Sequence, residues 1–155
     1  MVDKTRVLKL CILEQEKKIR KLEKSFESTK EGAISAVASM VSWSDTTKFQ
    51  MGNLASGIEK RLGEARLALH QLKRINLTDD DFIRVGSLFV LKDTESGEIF
   101  YYLLIPEGGG NEFDVDGKEV MAVSVASPIV KAVLDKKVGE IVAFRSKTIE
   151  IIEVQ

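Results

Sequence analysis

Few side chains of this 155-residue sequence have the type and spacing that chemistry demands. Cys11 and His70 are the only cysteine and histidine. A helical hairpin turning near residue 45 would set His70 opposite Arg20 rather than Cys11, so no Cys–His nucleophile pair forms and His70 reads as a surface histidine. One cysteine also excludes an internal disulfide and a cysteine-rich zinc site. Gly108-Gly109-Gly110 lacks the Lys-Ser/Thr of a phosphate-cradling loop and opens no helix. Asp114-Val115-Asp116-Gly117 lacks the remaining ligand spacing of a calcium loop and reads as a turn. Asp79–Asp81 reads as a solvated linker. Asp45 is the only carboxylate between Gly32 and Ile58, a position suited to capping a helix. No metal site is expected from these patterns.

The elements that would carry these residues fall into two halves. Leu8, Ile12, Ile19, Leu22, Phe26, Ala33, Ala36 and Met40 follow a 4/3 spacing, with Gln15 and Thr29 in the remaining seam slots. The pattern resumes as Met51, Ala55, Ile58, Leu62, Ala65, Leu69 and Leu72. An apolar residue every 3.5 positions stripes each helix, and the stripe requires a partner. The segment 41–48 breaks the pattern, and Ser44 or Asp45 can cap the second helix. The reading is an antiparallel coiled-coil hairpin over residues 1–78 with its tip near 41–48, roughly 45 Å long at the helical rise. Periodicity alone leaves open a hairpin that serves dimerisation.

Residues 79–155 contain seven of the ten aromatic residues and both prolines. Strands are predicted at 87–91, 99–105, 120–125, 141–144 and 148–154. Asp93–Gly97 reads as a hairpin turn, Glu107–Asn111 as a flexible loop and Asp116-Gly117 as a tight turn. Ser127-Pro128 opens one helix, with Ile129, Ala132 and Val133 on its inner face, and Lys136-Lys137-Val138-Gly139 closes it. The fold class is α+β: the hairpin followed by a small β-rich domain, a bent sheet wrapped on one helix.

Composition adds bounds. The chain is 44% apolar and 30% charged with a net charge of −1, which excludes disordered and collagen-like classes. That near-neutrality conceals a split: residues 1–78 carry 15 Lys and Arg against 9 Asp and Glu, residues 79–155 carry 8 against 15. Basic residues on the first helix could track nucleic-acid phosphates, but acids interleave with them and no aromatic platform accompanies them. No apolar run reaches the ~18–20 residues of a spanning helix, and the N-terminus does not read as a secretory signal. The expectation is a soluble, cytoplasmic protein without a membrane partner.

The run Val123-Ser124-Val125-Ala126-Ser127-Pro128-Ile129-Val130-Lys131-Ala132-Val133-Leu134-Asp135-Lys136-Lys137-Val138-Gly139-Glu140 resembles the C-terminal signature of the Gre (GreA/GreB-like) transcription elongation and cleavage factors. In that signature Ser-Pro-Ile opens a helix, Ala-x-Leu continues it, and Lys-x-Val-Gly-Asp/Glu precedes a strand. Ile149–Val154 is similar to the closing strand of the family. Close matching spans about residues 120–155, while the order of hairpin and β domain matches throughout.

The resemblance implies an FKBP-like domain over 79–155 that docks on RNA polymerase at the rim of its secondary channel, while the hairpin reaches the active centre. There, acidic tip residues help hold a catalytic Mg²⁺ and a water, so that the polymerase cleaves backtracked RNA. Carried across residue by residue, Ser127, Pro128 and Ile129 match the polymerase-binding motif, with Ala126 where the family often has Asp or Asn. Asp45 matches the catalytic tip Asp, and Lys48 stands where the family has Glu. Trp43, Ser44, Thr46 and Thr47 complete the tip. The resemblance implies RNA polymerase as partner, indirect contact with nascent RNA and DNA, no enzyme activity of the chain itself, and no intrinsic cofactor, Mg²⁺ being shared with the polymerase where cleavage is supported. Three readings stand: a Gre factor that stimulates cleavage, a Gre-like regulator or inhibitor that occupies the channel without cleavage, and a dimerising coiled-coil module.

Overall fold

The computed structural model describes residues 1–39, 45–77 and 79–155, with side chains described outside 32–49 and 51. The elements run α1 (Lys4–Ser39), α2 (Asp45–Lys73), β1 (Leu88–Asp93), β2 (Ile99–Ile105), β3 (Glu112–Val115), β4 (Lys118–Ser124), α3 (Pro128–Val133), β5 (Ile141–Phe144) and β6 (Lys147–Val154). The chain divides into two compact units, Glu14–Leu69 and Met1–Leu13 with His70–Gln155. No helix among the described residues is long and apolar enough to cross a membrane.

In the helical unit the predicted stripes meet. Ile19, Leu62 and Ala65 are buried, with Leu22 and Leu69 packed against them. Only the short segment 40–44 separates the two helices, so a shared seam requires α2 to run back along α1. Gln15 occupies a seam slot without leaving a polar atom wasted: its Nε2 donates to the Ala65 carbonyl at 2.9 Å. The Arg66–Glu23 pair at 3.0 Å and the Lys17–Glu14 pair at 2.7 Å lie on exposed faces, where such pairs contribute at most about 1 kcal/mol.

The other unit is built on a six-stranded sheet ordered β3-β4-β2-β1-β6-β5. β2 and β4 pair in parallel; the other neighbouring pairs are antiparallel. Successive side chains of a strand point to opposite faces, and here both faces are covered. Leu88, Val90, Leu103, Ile105, Val120 and Ala122 point to one core, which Val2, Val7, Leu8 and Cys11 from the chain start and Leu72 from the end of α2 complete. Phe89, Leu91, Leu104, Val123, Ile149 and Ile151 point to the other, closed by Ile129, Val130 and Val133 of α3. The expected sheet on one helix therefore has a second cover, which arises because the base of the hairpin packs on it. Helix α1 starts at a cap the periodicity did not reveal, the Asp3 carboxylate accepting from the Thr5 and Arg6 amides at 2.9 and 3.3 Å.

Strands at 99–105 and 141–144 match their expected bounds, while β3 was not expected. Its four residues, Glu-Phe-Asp-Val, are too short and too acidic to signal a strand by propensity, but they pair with β4 across the Asp116-Gly117 turn. Both turn residues have positive φ, 56° and 74°, as a two-residue hairpin loop requires. The glycine loop expected to be flexible is pinned: the Gly110 amide donates to Ala122 O at 2.8 Å and Ala122 N to Asn111 O at 2.9 Å. Gly109, at φ 102°, passes so close to β4 that a Cβ there would lie 2.8 Å from the Ala122 carbonyl oxygen. Helix α3 ends at Val133, earlier than the expected 136–139 closure, because the Asp135 backbone turns left-handed at φ 59° and its amide bonds to Ile83 O at 3.0 Å instead.

Cys11 lies inside the first core, and burial pushes its thiol up to about 12, so no reactive thiolate forms at neutral pH. Since Leu72 closes that core, Leu72→Ala should lower the stability of the full chain by about 2–4 kcal/mol in urea melts followed by circular dichroism. Leu67→Ala, at a side chain 53% exposed, should shift the same melt by less than about 0.5 kcal/mol.

Candidate functional site

Ser127, Pro128 and Ile129 come together where β4 turns into α3. Ser127 keeps an extended backbone (φ −63°, ψ 134°) at the N-cap position, and Pro128 supplies the first helical residue, where its missing N–H costs nothing. The Ser127 amide donates to Ser124 O at 2.9 Å and its carbonyl accepts from Lys131 N at 3.1 Å. Its hydroxyl makes no capping bond, so the cap expected of this side chain is replaced by the backbone turn alone. Ile129 is buried in the second core, while Pro128 is exposed.

These residues form one wall of an open groove of about 690 Å³. Leu91, Val123 and Ile149 floor it, and Phe100, Tyr102, Met121 and Phe144 supply apolar walls. The strand period sets this wall: Phe100 and Tyr102 share the α3 side of β2 because one residue separates them. Tyr102 stacks between Phe89 and Phe100, with ring centroids 5.3 and 6.5 Å apart. Burial raises the Tyr102 hydroxyl above its ordinary range, reinforced by Glu112 and Glu98.

The charges around the groove are one-sided. Its polar lining consists of Ser127, Ser146, Arg145 and Lys147, with no carboxylate, although residues 79–155 carry 15 acids against 8 bases. Lys147 is anchored: its ammonium lies 3.0 Å from Asp93 Oδ2 and 5.9 Å from the Phe100 ring. Asp93 in turn folds the β1–β2 turn, its Oδ1 accepting from the amides of Glu95 at 2.9 Å and Ser96 at 3.3 Å. Those amides and Lys147 hold the Asp93 carboxyl down to about 2. Asp93 raises the Lys147 ammonium in return. Across the aromatic ridge lies the opposite sign: Glu119 shares a hydrogen bond with Glu112, which raises its carboxyl.

Three comparisons bear on this arrangement. The family model described as "Transcription elongation factor, GreA/GreB, C-term" matches residues 78–155. The curated transcription elongation factor GreA of Neorickettsia sennetsu is 30% identical over 139 residues, which cover 85% of this chain and 80% of that protein. This chain belongs to the GreA/GreB family of transcription elongation factors. GreA of Syntrophobacter fumaroxidans is 31% identical over 104 residues, 63% of each chain. The crystal structure of GreA factor homolog 1 from Thermus thermophilus aligns over 93% of this chain and 94% of its own at 18% identity, with a TM-score of 0.41.

The remaining Gre-type positions lie at the start of α2. Asp45, Thr46, Thr47 and Lys48 form its first turn, with their side chains outside the described residues. Trp43 and Ser44 lie outside the described residues altogether. Among the described residues no group of three or more His, Cys, Asp or Glu side chains could hold a metal ion. The groove itself was only partly legible beforehand. The motif marked Ser127, Pro128 and Ile129, but Phe100, Tyr102, Met121, Phe144, Arg145 and Lys147 come from four strands, β2, β4, β5 and β6, and the β5–β6 turn. Their one sequence signal is the continuous apolar and aromatic run of β2, Ile99–Ile105.

Because the Asp93 carboxyl sits below its ordinary 3.8 in the folded chain, it contributes stability that is complete above about pH 4 and is lost as pH falls toward 2. Urea midpoints of the wild type should drop across that window. Asp93→Asn should be less stable at pH 7 and show a flatter profile between pH 4 and 2.

Proposed function

We propose that this Gre-family chain binds RNA polymerase at the secondary channel and acts on backtracked or arrested elongation complexes. In this reading residues 79–155 form the FKBP-like docking domain, and residues 1–78 form the hairpin that enters the channel with its tip near 41–48. The observation that carries it is that Ser127-Pro128-Ile129, inside the segment the family model matches, forms a wall of an apolar groove. An exposed apolar concavity on a folded domain favours a partner's apolar side chains over water. The chain acts through the polymerase, which performs the chemistry, and its contacts with nascent RNA and DNA are indirect.

Stimulation of transcript cleavage is the finer reading. Clustered carboxylates recruit a divalent cation and orient the attacking water in two-metal hydrolysis. The tip sequence supplies one carboxylate, Asp45, and Lys48 follows it three positions later on the same helix. A lysine charge so near in sequence to a lone carboxylate opposes an incoming cation. The donor set of the tip therefore does not fit a magnesium site. That favours the second reading, a Gre-type regulator that occupies the channel without supporting cleavage.

Wild-type chain should co-purify with core RNA polymerase, and Ser127→Glu combined with Pro128→Ala should remove the association; no association of the wild type at micromolar concentration overturns polymerase binding. On backtracked complexes, cleavage by the wild type that Asp45→Ala abolishes would establish the cleaving reading. Inactivity of the wild type, with activity gained in Lys48→Glu, would establish the other.

A further inference from the structure

The turn between β5 and β6 contains a residue that its backbone does not favour. Arg145 adopts φ 56°, the left-handed region that glycine enters freely and a side chain enters at a cost. Its guanidinium lies 5.2 Å from the centre of the Phe144 ring, and both residues line the groove beside Ser127, Pro128 and Ile129. Unlike Lys147, which Asp93 neutralises, Arg145 has no carboxylate within ion-pair distance among the described residues. An exposed arginine in a strained turn, held over an aromatic ring at the rim of an apolar groove, is an uncompensated cation in the acidic half of the chain.

We propose that Arg145 is a specificity-determining residue of this groove, and that the segment it receives is an apolar stretch of the partner carrying a carboxylate that pairs with the Arg145 guanidinium. The inference rests on the polymerase-docking reading and names the chemistry of the polymerase segment. The apolar walls supply burial, and the arginine fixes which end of the segment lies against the β5–β6 turn. The cation–π contact with Phe144 biases the guanidinium toward the groove rim before the partner arrives, which lowers the side-chain entropy lost when the carboxylate pairs. A charge-assisted, geometrically fixed pair of this kind discriminates against a neutral or basic segment more than it adds raw affinity.

The test measures binding of the full chain to core RNA polymerase by titration, together with thermal melting of each variant. Arg145→Glu should weaken binding by about tenfold or more at low salt, with the difference shrinking as salt screens the pair. Arg145→Gly separates recognition from folding, because glycine relieves the left-handed turn: affinity should fall several-fold while the melting temperature stays level or rises. Wild-type affinity in both variants overturns the inference, as does an affinity loss in Arg145→Gly that tracks a loss of melting temperature. If Ser127→Glu with Pro128→Ala abolishes binding while both Arg145 variants bind normally, docking stands and the role of Arg145 falls. If the wild type does not bind polymerase at all, the docking reading falls first and carries this inference with it. Self-association of the wild type in sedimentation that Arg145→Glu abolishes would assign the groove to a second copy of the chain and overturn the polymerase segment as its occupant.

Discussion

A sheet with apolar residues on both faces must be covered twice, and the base of this protein is arranged around that requirement. β1 reads Leu88-Phe89-Val90-Leu91, four buried residues in succession, so neither face of the central strand can meet water without a large loss. At about 1.5–3 kcal/mol for each large apolar side chain buried, the two cores outweigh every polar contact at the base. Helix α3 covers one face; Val7, Leu8, Cys11 and Leu72 cover the other. The Lys4–Asp79 pair at 2.7 Å and the Arg6–Asp116 pair at 3.0 Å join the same elements. Each has at least one strongly exposed partner and contributes at most about 1 kcal/mol. They set register on a unit that apolar burial already holds.

The groove beside α3 is a by-product of the same geometry. Helix α3 is short, ending at Val133, so it shields only part of the sheet face it packs on. Beyond it, the half-buried side chains of Phe100, Tyr102, Met121 and Phe144 cover Leu91, Val123 and Ile149 and leave the groove between them. Strand alternation then sends Phe100 and Tyr102 to this side, and the Asp93–Lys147 pair fixes the turn region on its rim. A domain rich in acids thereby presents cations at one apolar concavity. That local sign, rather than the net charge of the half, sets the field at the groove within a Debye length of about 8–10 Å.

The hairpin divides its labour differently. Its shaft is a seam of apolar contacts with one half-buried glutamine whose amide donates to a backbone carbonyl, a structural task that many sequences can perform. In sequence, residues 41–48 carry one acid, Asp45, and one base, Lys48, among uncharged residues that include Trp43.

Periodicity by itself determined the two helices, because a 3.5-residue apolar repeat admits no other regular structure that buries it. Short β-favouring runs between turn residues determined most strands, and Asp116-Gly117 determined its turn, since two successive left-handed residues leave few alternatives. The Ser127-Pro128 pair determined where α3 begins. What lay beyond the sequence required distant residues to meet. The strand Glu112–Val115 exists through its pairing with β4; its own propensity is weak. The glycine loop is rigid through the Ala122 backbone, and α3 stops early through a bond to Ile83. The second cover of the sheet joins residues 2–11 to residues 88–122, a separation that no local pattern encodes. Arg145 became notable only when the fold set its guanidinium on Phe144, away from every described carboxylate, because charge compensation is a property of neighbours in space.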